Sequence, residues 1–191
     1  SIDEKAASFE RQIGLDVRYS LTNTLSLDLT GNTDFAQVEV DDQQVNLTRF
    51  SLFFPERRRF FLEQAGLFDL NLGGNSQLFY SRRIGINNGE LTPILGGARV
   101  TGKIGSTEIG VLSMHTAKTD NSSSENFSVL RFRQKVINNR SFIGGLFTNR
   151  WNEGRNSSAL GFDGFVALKN EHYLQVGLAS TFDDQSSTTE L

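Results

Sequence analysis

Short segments of strict period-2 alternation run through most of this chain, and they leave few folds open to it. In residues 14–22, Leu15, Val17, Tyr19 and Leu21 occupy one parity, while Asp16, Arg18, Ser20 and Thr22 occupy the other. Successive side chains of a strand point to opposite faces, so this is a strand with one apolar and one polar face. Asn23 and its neighbours turn the chain, and Leu25, Leu27 and Leu29 then alternate with Ser26, Asp28 and Thr30. Beyond the Gly31-Asn32 turn signal, Ala36, Val38 and Val40 alternate with Phe35, Gln37 and Glu39. Strands joined by such short links form an antiparallel meander, because parallel neighbours need a long crossover.

The same rhythm returns after residue 95. Ala98, Val100, Gly102 and Ile104 oppose Arg99, Thr101 and Lys103, and a Gly105-Ser106 link leads to Ile109 and Val111. Leu112 and Met114 break that parity, which predicts a bulge or a doubly buried strand. Residues 118–126 read as a mobile polar loop. Leu130, Phe132, Gln134 and Val136 then face one way, with Arg131, Arg133 and Lys135 on the other side, unremarkable in water and a positive wall in a lumen. Residues 141–151 are apolar on both parities, so a strand is assigned there without a register. Two further alternating segments cover 160–168 and 174–178, with Asn170-Glu171 as the turn, and the Ser/Thr-rich tail at 183–191 reads as frayed. About ten strands and no convincing helix emerge, a rhythm that suits an up-and-down barrel better than a Greek-key sandwich.

Two destinations for the apolar parity compete. A soluble barrel or sandwich turns it into the core, and a membrane barrel turns it toward lipid, with the polar parity lining the lumen. No apolar run approaches the roughly 20 residues of a membrane-spanning helix, but a transmembrane strand needs only about 9–11. A mean hydropathy of −0.32 fits either case. The net charge of −3 and pI near 5.4 argue against nucleic acid as a partner. The absence of cysteine removes disulfides, cysteine zinc sites and thiol catalysis. Ser1-Ile2-Asp3-Glu4-Lys5 has neither the basic start nor the apolar stretch of a signal peptide, so the chain reads as cytoplasmic, mature or a fragment.

One stretch departs from the alternation. Residues 45–85 read as an irregular insert, dense in aromatics and charge around Phe53-Phe54-Pro55-Glu56-Arg57-Arg58-Arg59-Phe60-Phe61-Leu62-Glu63. Pro55 cannot donate a ladder hydrogen bond, which makes 52–59 a poor interior strand. The arginines have two readings. They form structural ion pairs with Glu39, Asp41, Asp42, Glu56 and Glu63, or Arg57, Arg58, Arg59, Arg82 and Arg83 bind an anion or carboxylate through the bidentate guanidinium fork.

The runs Leu27-Asp28-Leu29-Thr30, Asn32–Glu39, Val45-Asn46-Leu47, Phe53–Arg57, Arg59–Glu63 and Leu78–Gly85 resemble the DUF5916 family over roughly residues 14–117. Thr33 departs from the family, which tends to Pro there, and Arg58-Arg59 replaces a basic residue followed by Pro. The resemblance implies an outer-membrane β-barrel of Gram-negative bacteria, often preceded by a family-9-type carbohydrate-binding domain. Outer-membrane lipid is then the partner, with carbohydrate engaged through that other domain. Family barrels need more chain than this, and Thr-Thr-Glu-Leu lacks the terminal aromatic of a final barrel strand, so a fragment is expected, with a complete barrel of 8–10 strands as the alternative.

No catalytic constellation emerges, and no cofactor or metal is expected. His115 and His172 lie on separate strands without metal-site spacing. The paired glycines at 73–74, 96–97 and 144–145 lack a strand–loop–helix setting. Asp41-Asp42 and Asp183-Asp184 read as solvated rather than calcium-binding. The expectation is an all-β chain, an antiparallel up-and-down barrel of transmembrane type over 1–191, with a transport or surface-display role and no enzymatic activity. A soluble β-barrel holding a small anion in the arginine cluster is the alternative, and a saccharide hydrolase has only the carbohydrate link behind it.

Overall fold

The structure, a computed structural model, describes residues 14–32, 55–70, 72, 77–87, 90–120, 122–169 and 172–184. Alternation folds as antiparallel sheet. β1 (Leu15–Ser20) pairs with β2 (Leu25–Gly31), and β2 pairs with β5 (Ile94–Ile104), although a long excursion separates them in sequence. β6 (Thr107–Thr116), β7 (Glu125–Lys135), β8 (Phe142–Asn152), β9 (Arg155–Ala167) and β10 (Tyr173–Asp184) follow, each beside its predecessor. Among the described residues the sheet thus has eight strands in up-and-down order, with β1 and β10 at its edges. It is open rather than closed into a barrel. The excursion holds two one-turn helices, α1 (Arg59–Leu62) and α2 (Ala65–Phe68), a 3-10 turn at Ser81–Arg83, and the small ribbon β3 (Ile86–Asn87) and β4 (Glu90–Leu91).

Several expectations are corrected here. Short helices are present because the insert packs around phenylalanines rather than along a ladder. The break at Leu112 and Met114 is no bulge: β6 keeps its register, and the irregularity lies between Ile94 and Gly96 of β5. Leu112 and Met114 face inward under the insert while Val111 faces out, so both parities of β6 are apolar. The loop expected at 118–126 ends sooner, because Glu125 and Asn126 belong to β7 and Glu125 is buried. Asp183 and Asp184 belong to β10 rather than to a frayed tail. The strand expected at 35–40, insert residues 45–54 and 73–76, and the Asn170-Glu171 turn lie outside the described residues.

Register decides what each face presents. The outward row Tyr19–Leu27–Val100–Val111–Leu130–Phe147–Leu160–Ser180 crosses all eight strands and is apolar on every strand but the last. Tyr19, Val111, Leu130, Phe147 and Leu160 are exposed, as are Leu15, Val17, Leu29, Phe132, Ile143, Phe162, Val176 and Leu178. The adjoining inward row is Arg18–Asp28–Arg99–Leu112–Val129–Thr148–Ala159–Thr181.

The core forms on this inward side. Phe60, Phe61, Phe68, Leu70 and Ile84 of the insert pack with Ile94, Leu112, Met114, Phe127, Val129 and Leu146 of the sheet. Glycines lower the wall where the insert sits. A Cβ at Gly110 would lie 2.9 Å from Leu67 and from the Phe68 ring, and one at Gly161 would lie 2.7 Å from Leu78. Among the described residues, large apolar side chains of the outward face therefore stay exposed while those of the inward face pack under the insert.

Candidate functional site

Helices of a single turn cannot satisfy their own carbonyls, so the insert needs donors from elsewhere. Buried arginines supply them. On β5, Arg99 places Nε and Nη2 on Asp28 at 3.1 and 2.8 Å, and its Nη1 donates to the carbonyls of Phe60 and, at 2.6 Å, Glu63. The Arg99 guanidinium lies 4.7 Å from the Phe60 ring centre. Arg18 of β1 reaches Asp28 at 2.5 Å and also pairs with Glu63, which Arg59 meets at 3.3 Å. On β7, Arg131 donates to the Leu67 carbonyl at 3.0 Å and forms a two-pronged pair with Asp163, both contacts 2.7 Å. Two wall arginines thus fasten the segment carrying α1 and α2.

A third node lies within the insert. Arg58 is buried, grips Glu56 through Nε at 2.9 Å and Nη2 at 2.8 Å, and donates to the Ile84 and Ser81 carbonyls at 2.6 and 2.8 Å. Its guanidinium stacks 4.2 Å from the Phe61 ring centre, and the Ser81 hydroxyl donates to Glu56 at 2.6 Å. Buried Arg82 donates to the Pro55 carbonyl at 2.8 Å. Burial pushes the Glu56 carboxyl up, but the hydrogen bonds and charge of Arg58, with Ser81, outweigh it and hold the group below the ordinary glutamate range. Glu63 shows the same balance, its partial burial outweighed by Arg18, Arg59 and Arg99.

The five arginines read as an anion site differ in setting. Arg58 and Arg82 are buried with carbonyl and carboxylate partners, whereas Arg57, Arg59 and Arg83 are exposed, the Arg59 side chain to 88%. Glu56 and Glu63 carry ion pairs, and Glu39, Asp41 and Asp42 lie outside the described residues. The residues that sequence reasoning left out of the site are Arg18, Asp28, Arg99, Arg131 and Asp163. Their only sequence signal was charge on the polar parity, which does not say which strands meet.

Two other features line the inward face. Arg133 stacks 4.5 Å from the Phe142 ring centre and approaches Glu108 at 3.7 Å, and Phe142, Phe165 and Tyr173 stack in turn across β8 to β10. Carboxylates therefore accompany Arg131 and Arg133, so the cations of β7 do not form a uniformly positive wall. A cavity of about 420 Å³ lies against Phe61, Phe68, Phe79, Tyr80 and Arg99. Among the described residues no three His, Asp or Glu side chains converge as metal ligands.

The family described as a domain of unknown function (DUF5916) matches residues 1–95. The match supports membership of the DUF5916 family. Its span takes in β1, β2 and the whole insert, with Arg18, Asp28, Glu56, Arg58 and Glu63, and ends at the start of β5. Arg99, Arg131 and Asp163 lie beyond the DUF5916 match, which stops short of the 14–117 resemblance. No curated protein and no solved structure matches the chain.

Proposed function

We propose that this chain forms part of the wall of an outer-membrane β-barrel, with the outward parity against lipid and the insert folded inside as a plug. The observation behind this reading is the outward row, apolar on seven of the eight strands, opposite a face bearing the buried Arg99–Asp28 and Arg131–Asp163 pairs. A soluble fold buries its larger apolar face, because each apolar Å² removed from water is worth about 25 cal/mol. Here that term goes unused unless lipid supplies the surroundings. Closure through further strands then satisfies the edges of β1 and β10. The role assigned is passage or display of material at the cell surface, and its link to carbohydrate rests on the DUF5916 resemblance alone. An anion site in a soluble barrel has less behind it, since Arg58 already engages Glu56, Ile84 and Ser81.

Far-UV circular dichroism of the chain with and without detergent micelles tests the reading. A cooperative β-signal that appears only with micelles is expected. A monodisperse, folded species in plain buffer contradicts it.

A further inference from the structure

The hairpin end of the sheet carries features that a lipid-facing wall alone does not require. The β7–β8 turn at 136–141 and the β9–β10 turn are tied together: Asn138 Nδ2 donates to the Ala167 carbonyl at 3.1 Å, and the Ala167 amide donates to Ser141 Oγ at 3.0 Å. This platform exposes Arg140 and Lys169 on the turns and Lys135 at the last position of β7, on the inward parity, from which its long stem reaches the rim; none of the three is ion-paired among the described residues. Lys103, on the same rim, is matched by Glu108 at 3.0 Å. Among the described residues the opposite end of the sheet exposes Asp120, Glu153, Asp183 and Asp184 against Lys118, Arg150 and Arg155. Among the described residues, exposed cations thus outnumber carboxylates at this end, and carboxylates outnumber cations at the other.

Exposed aliphatics stand among those cations. Ile137 is 83% exposed and Leu168 52%. Ile137 also sits at φ 61°, in the left-handed region that β-branched residues rarely occupy. A strained backbone that holds an isoleucine away from the protein gains nothing in water. It gains burial where the outward apolar face, continued here by Ile143 and Leu174, meets a bilayer surface.

The geometry points to an interfacial anchor for anionic lipid, with Ile137 and Leu168 among the acyl chains and Lys135, Arg140 and Lys169 at the headgroup phosphates. It rests on the lipid-facing reading of the outward parity. A basic cluster beside an apolar surface is attracted to anionic lipid, more weakly as salt rises.

The test is partition of the full chain onto phosphatidylcholine vesicles with and without phosphatidylglycerol. Phosphatidylglycerol should strengthen partition roughly tenfold or more. High salt and the K135Q/R140Q/K169Q variant, its fold checked by far-UV circular dichroism, should each abolish that gain. Ile137→Asn suits the left-handed backbone better, so it should weaken partition on both vesicle types without loss of folded stability. Equal partition of wild type and the triple variant onto anionic vesicles overturns the anchor and leaves the lipid-facing reading intact. Failure of the wild type to hold any vesicle overturns both. Release by inorganic phosphate at matched ionic strength overturns the headgroup assignment in favour of a soluble anion.

Discussion

Arg131 on β7 and Asp163 on β9 meet across the intervening strand β8, and Gly144 leaves the gap through which they touch. A Cβ at Gly144 would lie 2.6 Å from Asp163 Oδ1 and 2.8 Å from Arg131 Nη1. Both charged side chains are buried, and the same guanidinium holds the Leu67 carbonyl. One ion pair therefore couples two strands to the insert. Removing one partner of a buried pair leaves an uncompensated charge, at a cost of about 3–5 kcal/mol. Arg131→Met should destabilise the chain by that order in urea titration in micelles, and Gly144→Ala by about 1–3 kcal/mol through overpacking. Unchanged midpoints for both would contradict a structural role for the pair.

The seat of the insert gives a second expectation. Gly161→Leu drives its side chain into Leu78 and Leu70, and Gly110→Val into Leu67 and Phe68. Both positions lie on strands whose ladders do not depend on the insert. Limited proteolysis should find the insert more readily cleaved in either variant, while the far-UV spectrum of the sheet persists.

The Glu56 carboxyl carries a pH dependence of definite sign. Its folded value lies below the ordinary 4.5, so its stabilisation is fully present above pH 4.5 and is lost as pH falls through the lower folded value. The joint between residues 55–58 and 81–84 should loosen on acidification below about pH 4.5. Protease susceptibility of the insert measured down that range should rise in wild type. Glu56→Gln should show a looser joint already at neutral pH and a flatter profile.

Face-specific charge gives a fourth expectation. Phe162 faces outward on β9, and Ala179 faces inward on β10. A lysine toward the middle of a lipid face costs about 2–4 kcal/mol, and a lysine toward a lumen far less. Phe162→Lys should impair folding into micelles while Ala179→Lys folds near normally, as read from β-signal recovery. Equal tolerance would contradict an outward lipid face.

Much of this architecture was legible from alternation, because a period of two is a direct consequence of strand geometry. The destination of each parity was not, since Leu15, Val17 and Tyr19 alternate identically whether they meet a core or a bilayer. Pro55 marked the insert as non-strand, and Glu56 lies near enough to Arg58 in sequence for their pairing to be readable. Arg131 and Asp163 are 32 residues apart and meet only through the register of three strands, which no local pattern encodes. Leu112 and Met114 misled for a related reason: an apolar parity beneath an insert looks, in sequence, like a broken alternation.

Trp151, the only tryptophan in the chain, gives the most direct test of the central claim. It lies on the outward face of β8, on the same parity as Phe147 and Ile143, and is exposed. The measurement is its fluorescence in vesicles of lipids brominated along the acyl chain, against quenching by aqueous iodide. If the outward parity faces lipid, brominated chains should quench strongly, iodide should quench weakly, and emission should be blue-shifted. Efficient iodide quenching with no effect of brominated lipid, in a chain shown to be folded, would place that face in water and contradict the membrane-wall reading.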